Sequence, residues 1–548
     1  MTSPSSGTAE VCRAPGMPAE FVMRLAARTR SAAGWRRAGI AAALGALAVG
    51  ALPPFNLVFL LLPAFTGLVW LIEGTPTRWA AFRLGWCWGL GFFVFGLYWT
   101  TLSLFVDIER FWWLVPFALF GLPILLAVYA GAAVAATRAI PGSTVSRALV
   151  LAIAWTGAEW LRGHLLTGFP WNLIGYAWSA DAPPLLAVLQ STALFGSYGL
   201  SLITVAVAAL PAGLGGSPIY GSPTYSSPGA SRWRRAGPAV IGGVVLVGIG
   251  VFGAVRLSAG PDPLVPGVTL RLVQPNIPET LKWDPAARAR NFQAILALAA
   301  APAATPPTDI VLPEAAITYL LNRDGGARGA LAAVTPPGGL MLAGTIRGNP
   351  LPAPPTEFFD SLMALDGSGA VIATYDKFHL VPFGEYVPLA RYLPLERIVG
   401  GLGALSSGPG PVTLALPHLP PVSPLICYEA NFPEDVVAPG PRPAWLLTIT
   451  NDAWFGTSTG PYQHFASARV RAVEQGLPLL RAANTGISGV VDAHGRVLQR
   501  LGLNRAGVID TALPMPLGIT PYGQYGDFAL LVMMLLTGWV AWGCRKYR

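Results

Sequence analysis

The sequence predicts an α-helical transmembrane bundle of about eight helices joined to an extracytoplasmic α/β domain. The 548 residues are 53% hydrophobic and only 11% charged, with a mean hydropathy of +0.52, whereas soluble domains carry about 25% charged residues. Long apolar runs fill residues 37–257, a stretch of mixed polarity covers 258–525, and a further apolar run lies within 526–548. A membrane domain, a globular domain and a terminal membrane helix therefore follow one another along the chain.

Eight apolar runs approach the roughly 20 residues that a helix needs to cross the hydrocarbon core of a bilayer. They are residues 37–52, 56–73, 84–105, 112–137, 146–162, 185–211, 237–257 and 526–543. The motif LPPF at 52–55 separates the first two runs, because proline interrupts a helix. No small-residue cleavage site follows the first run, so the basic N-terminus is not expected to be a removable signal peptide.

The arginines predict the orientation of these helices, because short cytoplasmic loops are enriched in Lys and Arg. The basic residues concerned are Arg24, Arg28, Arg30, Arg36, Arg37, Arg78, Arg83, Arg138, Arg147, Arg232, Arg234, Arg235, Arg545, Lys546 and Arg548. All lie on one side if 1–36 is a cytoplasmic segment, 37–257 a membrane domain with seven crossings, and 526–548 an eighth crossing with a basic cytoplasmic tail. Residues 258–525 then lie outside the cytoplasm. The net charge of +9 reflects this topology, so no nucleic-acid partner is expected.

The outer segment alternates between strand and helix patterns, which favours a layered α/β domain with helices covering the sheets. Strands are expected at 268–277, 309–317, 338–348, 422–429 and 444–452, helices at 285–300 and 464–478, and hairpins around DGSG (366–369) and AHGR (493–496). The Gly, Ser and Pro-rich stretch 212–231 is predicted to be a flexible cytoplasmic linker.

Cys427, in PLICYEANFP, is the one cysteine expected in the outer compartment. Cys12 and Cys544 fall on the cytoplasmic side and Cys87 lies within a predicted helix, so a disulfide to Cys427 is excluded unless it is intermolecular. A lone cysteine is often a small buried hydrophobe, and its reactivity depends on its neighbours.

Glu314 in VLPEAAI and Lys377 in YDKFHLVPFGEYVP, like Cys427, follow an apolar run and precede turn residues. Alone, either would be read as a solvated loop residue. In this order, Glu, Lys and Cys resemble the nitrilase superfamily of carbon-nitrogen hydrolases. With eight predicted helices, nearly the whole chain resembles bacterial apolipoprotein N-acyltransferases. The segments similar to that family are QPNIPETLKWDP (274–285), GFPWNLIGY (168–176) and NDAWFGTSTGPYQH (451–464).

The resemblance implies a nitrilase-like αββα sandwich that faces the periplasm, in a multi-pass protein of the bacterial inner membrane. It also implies an acyltransferase that moves an acyl chain from a membrane phospholipid, through a cysteine thioester, to the N-terminal amine of a diacylglyceryl-cysteine apolipoprotein, the last step of lipoprotein maturation. Cys427 would be the nucleophile and Glu314 the general base. Lys377 would stabilise the oxyanion together with the backbone N–H of Tyr428, and its cation would favour the thiolate.

Four neighbours match family positions. Glu385 matches a second essential glutamate, Trp283 is the tryptophan of the LKW segment, and Tyr428 and Glu429 follow the nucleophile. Without the family, Trp283 would fill a core, Glu385 would cap a loop, and Tyr428 would serve packing. Glu429 is expected to support the site, because a carboxylate beside a thiolate opposes ionisation unless it has a partner.

The membrane half also contains candidate residues. Glu159 and Arg162 are one helical turn apart, so they are expected to pair on one face, either as an interfacial ion pair or as part of a lipid entrance. The segment GFPWNLIGYAW (168–178), with Trp171, has the composition of an interfacial segment and is expected to help form that entrance. The histidines show no metal-ligand spacing and no phosphate-binding glycine motif occurs, so neither metal nor cofactor is expected.

Two other functions remain open from the sequence. The first is a membrane-tethered amidase that uses the same three residues but passes the acyl group to water; the many helices argue against it, since such an enzyme needs only one anchor. The second is a binding or transport protein whose outer domain is catalytically inactive. The intact set of Glu314, Lys377 and Cys427 argues against this second alternative.

Overall fold

The structure is a computed structural model that describes residues 17–216, 232–388 and 404–545. Cys12, the basic residues at 546–548 and most of the predicted linker 212–231 lie outside these ranges. In the described chain, α-helices dominate up to residue 257, and the first β-strand begins at Leu264.

The first part of the chain is a helical bundle. Its α-helices are α1 (Met17–Ser31), α2 (Gly34–Val49), α3 (Leu61–Glu73), α4 (Arg78–Leu97), α5 (Ile108–Phe111), α6 (Leu122–Ala139), α7 (Thr144–His164), α8 (Pro183–Leu189), α9 (Thr192–Ala209) and α10 (Arg232–Leu257). The predicted break at LPPF is confirmed, because turns separate α2 from α3. Helices α2 and α4 approach closely: a Cβ at Gly45 would lie 1.9 Å from the carbonyl oxygen of Trp88.

Two predicted crossings are less regular than expected. The run 84–105 is α-helical only to Leu97, and the run 112–137 becomes regular α-helix only at Leu122. Between these points, residues 98–121 form short 3-10, α and π turns. The stretch contains the polar motif DIER at 107–110, which interrupts the apolar pattern of a membrane helix.

The prediction of one continuous helix over 185–211 is wrong. The segment forms α8 and α9, and α9 itself is kinked at Gly196, whose φ is +69°. A Cβ at Gly196 would lie 2.3 Å from the ring of Tyr522, so this glycine permits both the left-handed backbone and a close contact with α15 (Pro521–Tyr525). A hydropathy pattern records burial but not such a kink.

Length and composition identify several helices that can cross a membrane. In the described ranges, four stretches are long and apolar enough, and two apolar helices are shorter. The four are Arg78–Leu114, Phe117–Ala139, Thr192–Gly215 and Arg235–Leu257, and the shorter helices are Val58–Glu73 and Phe528–Gly543. Helices α2 and α7 pack into the same hydrophobic core as α3, α4 and α9. The protein is therefore a membrane protein with a helical bundle, as the sequence predicts.

The second part of the chain contains two mixed β-sheets. Its strands are β1 (Leu264–Gln274), β2 (Asp309–Val311), β3 (Met341–Asn349), β4 (Glu357–Leu365), β5 (Val371–Asp376), β6 (Val422–Ile426), β7 (Trp445–Thr450), β8 (Leu479–Ala483), β9 (Ser488–Val491), β10 (Val497–Leu501) and β11 (Gly507–Pro514). One sheet has the order β11-β1-β2-β3-β4-β5 and the other β10-β9-β8-β7-β6. Its helices, with the last apolar helix, are α11 (Glu279–Lys282), α12 (Arg288–Ala299), α13 (Gly325–Ala332), α14 (Gly460–Gln475), α15 (Pro521–Tyr525) and α16 (Phe528–Gly543).

These elements form the four layers of an αββα sandwich. The inner faces of the sheets share one apolar core, in which Leu272 and Leu447 lie fully buried. Helices α12 and α13 cover the outer face of the first sheet, and α14 covers that of the second. The αββα fold is confirmed, as are both hairpins and the positions of the predicted strands, although the strands predicted at 309–317 and 422–429 end at Val311 and Ile426. Strands β8 and β11 were not predicted, because Arg481 and Asp510 interrupt their apolar patterns.

Candidate active site

Glu314, Lys377 and Cys427 come together as the sequence predicts. Glu314 lies just beyond β2, Lys377 directly follows β5, and Cys427 directly follows β6. The Nζ of Lys377 lies 3.0 Å from Oε1 of Glu314. All three side chains are shielded from solvent, with exposed fractions of 6% for Glu314 and Cys427 and 0% for Lys377. The strand ends thus present a base, a cation and a thiol at one buried location.

Lys377 is held by several carboxylates. Its Nζ donates a hydrogen bond to Oε1 of Glu385 at 2.6 Å, and Oδ2 of Asp360 lies 3.8 Å away. Glu385 is fixed in turn, because its Oε2 accepts the backbone N–H of Val381 at 2.7 Å. Burial alone would lower the pKa of Lys377, but Glu314 and Glu385 raise it well above its usual value. Lys377 is therefore a cation at neutral pH.

Glu314 is oriented by donors on two sides. Its Oε1 accepts from Lys377, and its Oε2 accepts the backbone N–H of Asn451 at 2.6 Å. The Nζ of Lys282 donates to its carbonyl oxygen at 3.2 Å. Burial, the largest single effect, opposes ionisation, but the charge of Lys377, a hydrogen bond with Asp360 and the charge of Lys282 together lower the pKa of Glu314 below its usual value. At neutral pH, Glu314 is a carboxylate in the protonation state of a general base.

Cys427 begins a 3-10 turn that spans Cys427–Asn431, and its φ is +51°, in the left-handed region that non-glycine residues rarely adopt. The N–H of Tyr428 lies in the first turn, where amides have no acceptor within the helix. Burial, and then the charge of Glu314, raise the pKa of the Cys427 thiol well above its usual value, although Lys377 opposes this. Lys377 therefore lowers the pKa of the thiol, as predicted, but burial and Glu314 raise it by more. The thiol consequently needs a base to react.

Glu429 connects the residues that follow Lys377 to the turn that begins at Cys427. Its Oε1 accepts the backbone N–H groups of Phe378 at 2.7 Å and His379 at 3.3 Å. Its Oε2 accepts the N–H of Ile426 and the hydroxyl of Tyr375, at 2.7 and 2.8 Å. Burial raises the pKa of Glu429 to about 7, while these donors lower it. The carboxylate therefore joins the residues that follow Lys377 to both sides of Cys427.

Tyr428 connects the nucleophile turn to the membrane half. Its hydroxyl donates to the carbonyl oxygen of Gly168 at 2.9 Å, and its ring packs edge-on against Phe432 at a centroid distance of 5.0 Å. Tyr428 and Phe432 both belong to the hydrophobic core of the helical bundle. The turn Cys427–Asn431 therefore belongs to the α/β domain and packs against the helical bundle.

Trp171 also lies between the two halves. Its Nε1 donates to Oε1 of Gln463 at 2.8 Å, and Nε1 of Trp99 donates to the same oxygen at 3.0 Å. Trp171 is only 3% exposed, and residues 171–179 are buried throughout. The segment 168–178 is therefore a packed connection in this structure, not the open interfacial surface that its composition indicates.

Trp283 is linked only indirectly to the site formed by Glu314, Lys377 and Cys427. Its Nε1 donates to Oε1 of Glu279 at 2.8 Å, and Oε2 of Glu279 accepts Nδ2 of Asn451 at 2.7 Å. Since the N–H of Asn451 binds Glu314, Trp283 reaches the base through two intervening side chains. Trp283 also lines a surface cavity of about 690 Å³ together with Tyr319 and other residues.

Glu159 and Arg162 are both buried and bind separate partners, in contrast to the predicted ion pair. Oε1 of Glu159 accepts the N–H of Ile174 at 3.0 Å, while NH1 of Arg162 donates to the carbonyl oxygens of Phe169 and Trp171, each at 2.6 Å. A one-turn spacing allows a pair but does not require it. Both side chains instead bind the backbone of the segment that follows α7.

A buried chain of polar groups behind Cys427 was missed by the sequence reasoning. Nε2 of His464 lies 3.0 Å from the carbonyl oxygen of Cys427, and Nδ1 lies 2.8 Å from Oδ1 of Asp452. Arg481 NH2 donates to Oδ2 of Asp452 at 2.9 Å. Burial raises the pKa of Asp452, but Arg481 and then His464 lower it below its usual value. The segment 451–464, already similar to the family, contained the signal for His464 and Asp452.

Two groups of potential metal ligands occur in the described ranges. Glu314, Asp360 and Glu385 form one, but the ammonium of Lys377 lies among their carboxylates. The other comprises Asp262, Asp492 and His494, where Asp262 pairs with His494 at 2.8 Å and Asp492 pairs with Arg496 at 3.0 Å. In both groups, a basic side chain already lies within ion-pair distance of the carboxyl oxygens.

Comparisons with known proteins agree with the two halves of the chain. The family model described as apolipoprotein N-acyltransferase N-terminal domain matches residues 44–210, and the one described as carbon-nitrogen hydrolase matches 269–518. A Rhodopseudomonas palustris protein named apolipoprotein N-acyltransferase is 41% identical over 536 residues, which cover 94% of this chain and 96% of that protein. A Bradyrhizobium diazoefficiens protein of the same name is 42% identical over 519 residues, covering 92% and 94%.

Among solved structures, an amidase from Nesterenkonia sp. is similar at 20% identity and a TM-score of 0.35, over 49% of this chain and 97% of that one. The two curated relatives instead match along almost their entire length, and both carry the same name. From these two relatives and the two family models, the chain belongs to the apolipoprotein N-acyltransferase family.

Proposed function

We propose that this acyltransferase moves a fatty acyl chain from a membrane phospholipid, through a thioester on Cys427, to the N-terminal amine of a diacylglyceryl-modified lipoprotein. Family membership supports N-acylation of lipoproteins as the activity. The observation that carries the finer proposal is the buried ion pair of Glu314 with Lys377 at 3.0 Å, whose two charges both act on the thiol of Cys427.

The first half-reaction would acylate the enzyme. Glu314 takes the proton of the Cys427 thiol as Sγ attacks the ester carbonyl of the phospholipid. Lys377 and the backbone N–H of Tyr428 stabilise the oxyanion of the tetrahedral intermediate. When this intermediate collapses, the C–O bond breaks, the protonated Glu314 returns its proton to the leaving alkoxide, and the lyso-phospholipid departs. The acyl group remains on Cys427 as a thioester.

The second half-reaction would transfer the acyl group to the lipoprotein. The α-amine attacks the thioester carbonyl, and Glu314 accepts a proton from the amine nitrogen. Lys377 stabilises the oxyanion again, the C–S bond breaks, and the thiolate regains a proton from Glu314. A thioester suits this step, because an amine opens it more readily than it opens the original ester. Glu385 and Glu429 hold Lys377 and its turn in place during both halves.

We propose the cytoplasmic side of the inner membrane for residues 1–36 and for the basic tail of 526–548, with 258–525 in the periplasm. Contacts among segments predicted on one side support this orientation. Nε of Arg30 donates to Glu73 at 2.7 Å, and NH1 of Arg147 lies 3.6 Å from the same carboxylate. Oγ of Ser143 donates to the carbonyl oxygen of Cys544 at 3.1 Å. The end of α1, the end of α3, the start of α7 and the end of α16 thus lie together at one end of the bundle.

The test uses the purified full chain in detergent or liposomes, incubated with phospholipid labelled in the acyl chain and with no acceptor. The label should stay on Cys427, be released by neutral hydroxylamine as thioesters are, and move to a diacylglyceryl-modified peptide when one is added. Acylation of the peptide at the normal rate without any retained label would show a direct transfer and contradict the thioester. Free fatty acid as the main product would favour the amidase alternative.

A further inference from the structure

Asp360 places a third carboxylate beside Lys377 that sequence reasoning did not identify. It lies within β4, opposite Ile346 of β3, and is 2% exposed. Its carbonyl oxygen accepts the N–H of Lys377 at 2.8 Å, and its carboxyl oxygens lie within 4.8 Å of those of Glu314 and Glu385. Three carboxyl groups this close, two of them buried and that of Glu385 partly buried, cannot all ionise without strong repulsion, so their protonation must be shared unequally.

The hydrogen bonds indicate which of the three carboxyl groups is least stabilised in its ionised form. Glu314 and Glu385 each accept the Lys377 ammonium and one backbone N–H. For Asp360, the one cation in ion-pair range among the described residues is Lys377, 3.8 Å from Oδ2, and its buried Oδ1 receives no hydrogen bond from them. A buried carboxylate without donors is costly, whereas the neutral acid can use its own O–H as a donor. Asp360 is therefore the group that carries a proton.

The charges that face Asp360 balance when it is neutral. Lys377 contacts it from the end of β5, Glu314 and Glu385 face it from their loops, and Lys282 binds the backbone of Glu314. Two ammonium groups then match two carboxylates. Arg347 and Asp376, on the neighbouring strands, neutralise each other in a two-bond pair at 3.0 and 2.6 Å.

The charge state of Asp360 also affects how readily the thiol of Cys427 loses its proton. Burial, and then the charge of Glu314, raise the pKa of Asp360 well above its usual value. An additional negative charge on Asp360 would make it still harder for Cys427 to lose its proton. A neutral Asp360 hydrogen-bonded to Glu314 avoids this repulsion and supports the ionised base.

We propose that Asp360 is a positioning residue, held as the neutral acid, which donates its O–H to the carboxylate of Glu314 and so keeps that base ionised and aimed at the thiol. The proposal rests on the proposed role of Glu314 in acyl transfer. It assigns no contact with substrate to Asp360: the residue acts through Glu314.

The experiment compares the full-length wild type with Asp360→Asn and Asp360→Leu. Asn keeps a neutral hydrogen-bond donor, and Leu has a similar size but no donor. Removing the donor destabilises the ionised Glu314, so its pKa rises in Asp360→Leu. The acidic limb of the rate of Cys427 acylation should then move to higher pH by about one unit, with an approximately tenfold slower rate on that limb. Asp360→Asn should restore most of this loss, and thermal unfolding in detergent checks that both variants fold.

The opposite protonation state predicts the opposite shift. If Asp360 were ionised, either substitution would remove a negative charge near Glu314, and the acidic limb would move to lower pH in both variants. That result would overturn the proposal, and so would an unchanged limb in Asp360→Leu.

Infrared spectroscopy tests the proton on Asp360 without acyl transfer. The wild type at pH 7 should show the carbonyl stretch of a buried, protonated carboxylic acid, and the difference spectrum against Asp360→Asn should contain one such component, distinct from the contribution of Glu429, which remains in both proteins. A spectrum in which Asp360→Asn removes only carboxylate bands would overturn the proposal. If the wild type retained no acyl label, the thioester mechanism would fail, yet the infrared band would still report the state of Asp360, so the two failures are distinguishable.

Discussion

Replacing Glu429 by Gln tests whether this carboxylate positions the catalytic groups or takes part in the chemistry. Its two oxygens accept hydrogen bonds from Tyr375, Phe378, His379 and Ile426, all of them donors. In Glu429→Gln, one oxygen becomes an NH2 group that cannot accept. If the NH2 faces Tyr375, the hydroxyl can rotate to accept, and only the N–H of Ile426 loses its partner. One unpaired buried donor lowers the free energy of unfolding by about 1–3 kcal/mol.

The effect on rate should exceed the effect on stability. Phe378 is adjacent to Lys377 and Ile426 is adjacent to Cys427, so a loosened Glu429 site lets the cation move relative to the thiol. A misplacement of about 1 Å can slow an enzyme by about 100-fold. We therefore expect Glu429→Gln to acylate Cys427 about 100-fold more slowly than the wild type while remaining folded.

The assay measures single-turnover acylation with labelled phospholipid, alongside unfolding in detergent. The matched control is Tyr375→Phe, which removes one donor and leaves three backbone donors on Glu429; it should lose about 1 kcal/mol and less than tenfold in rate. The positional explanation is refuted if Glu429→Gln unfolds like the wild type and yet forms no thioester, because the carboxylate would then act in the chemistry itself.

Three further predictions concern the nucleophile, the connection between the halves and the topology. Cys427→Ser should retain almost no acyl label, since a hydroxyl is far less acidic than a thiol, whereas Cys544→Ser should label normally; equal labelling of both would exclude Cys427 as nucleophile. Trp171→Ala removes a buried ring and its bond to Gln463 from the connection between the halves, so it should lower the unfolding temperature in detergent and slow acylation by long-chain phospholipid and by a short, soluble thioester equally; slowing confined to the long-chain donor would instead make this segment part of a lipid entrance. A reporter active only in the cytoplasm, fused after residue 260, should be silent, and strong activity would reverse the proposed orientation.

The site formed by Glu314, Lys377 and Cys427 could be predicted because each residue follows a strand. An apolar run followed by turn residues marks the point where a sheet presents a side chain to a cleft, and Glu314, Lys377 and Cys427 all occupy such points. Asp360 gave no such signal, since it lies inside β4, where a single polar residue is typical of a strand with one solvated face. Only the pairing of β4 with its neighbours brings it beside Lys377.

Contacts between the helical bundle and the α/β domain could also not be predicted from the sequence. The aromatic segment around Trp171 has the composition of a membrane interface, and composition does not distinguish a lipid-facing ring from one buried against another domain. The same holds for Glu159 and Arg162, whose spacing permits a pair but whose partners are backbone groups of the following loop. The kink at Gly196 likewise depends on the ring of Tyr522, more than 300 residues away along the chain.

The helical bundle contributes directly to the catalytic turn, which explains why the chain contains more than one membrane anchor. Tyr428, next to the nucleophile, donates to the backbone of Gly168 and packs in the same core as Trp99 and Trp171. A tethered amidase acting on a soluble substrate would gain nothing from a nucleophile turn packed into apolar helices. The acyl transfer from phospholipid that we propose instead calls for a thiol close to the membrane helices, and the packing of Tyr428 and Phe432 in the core of the bundle holds the turn that begins at Cys427 against those helices.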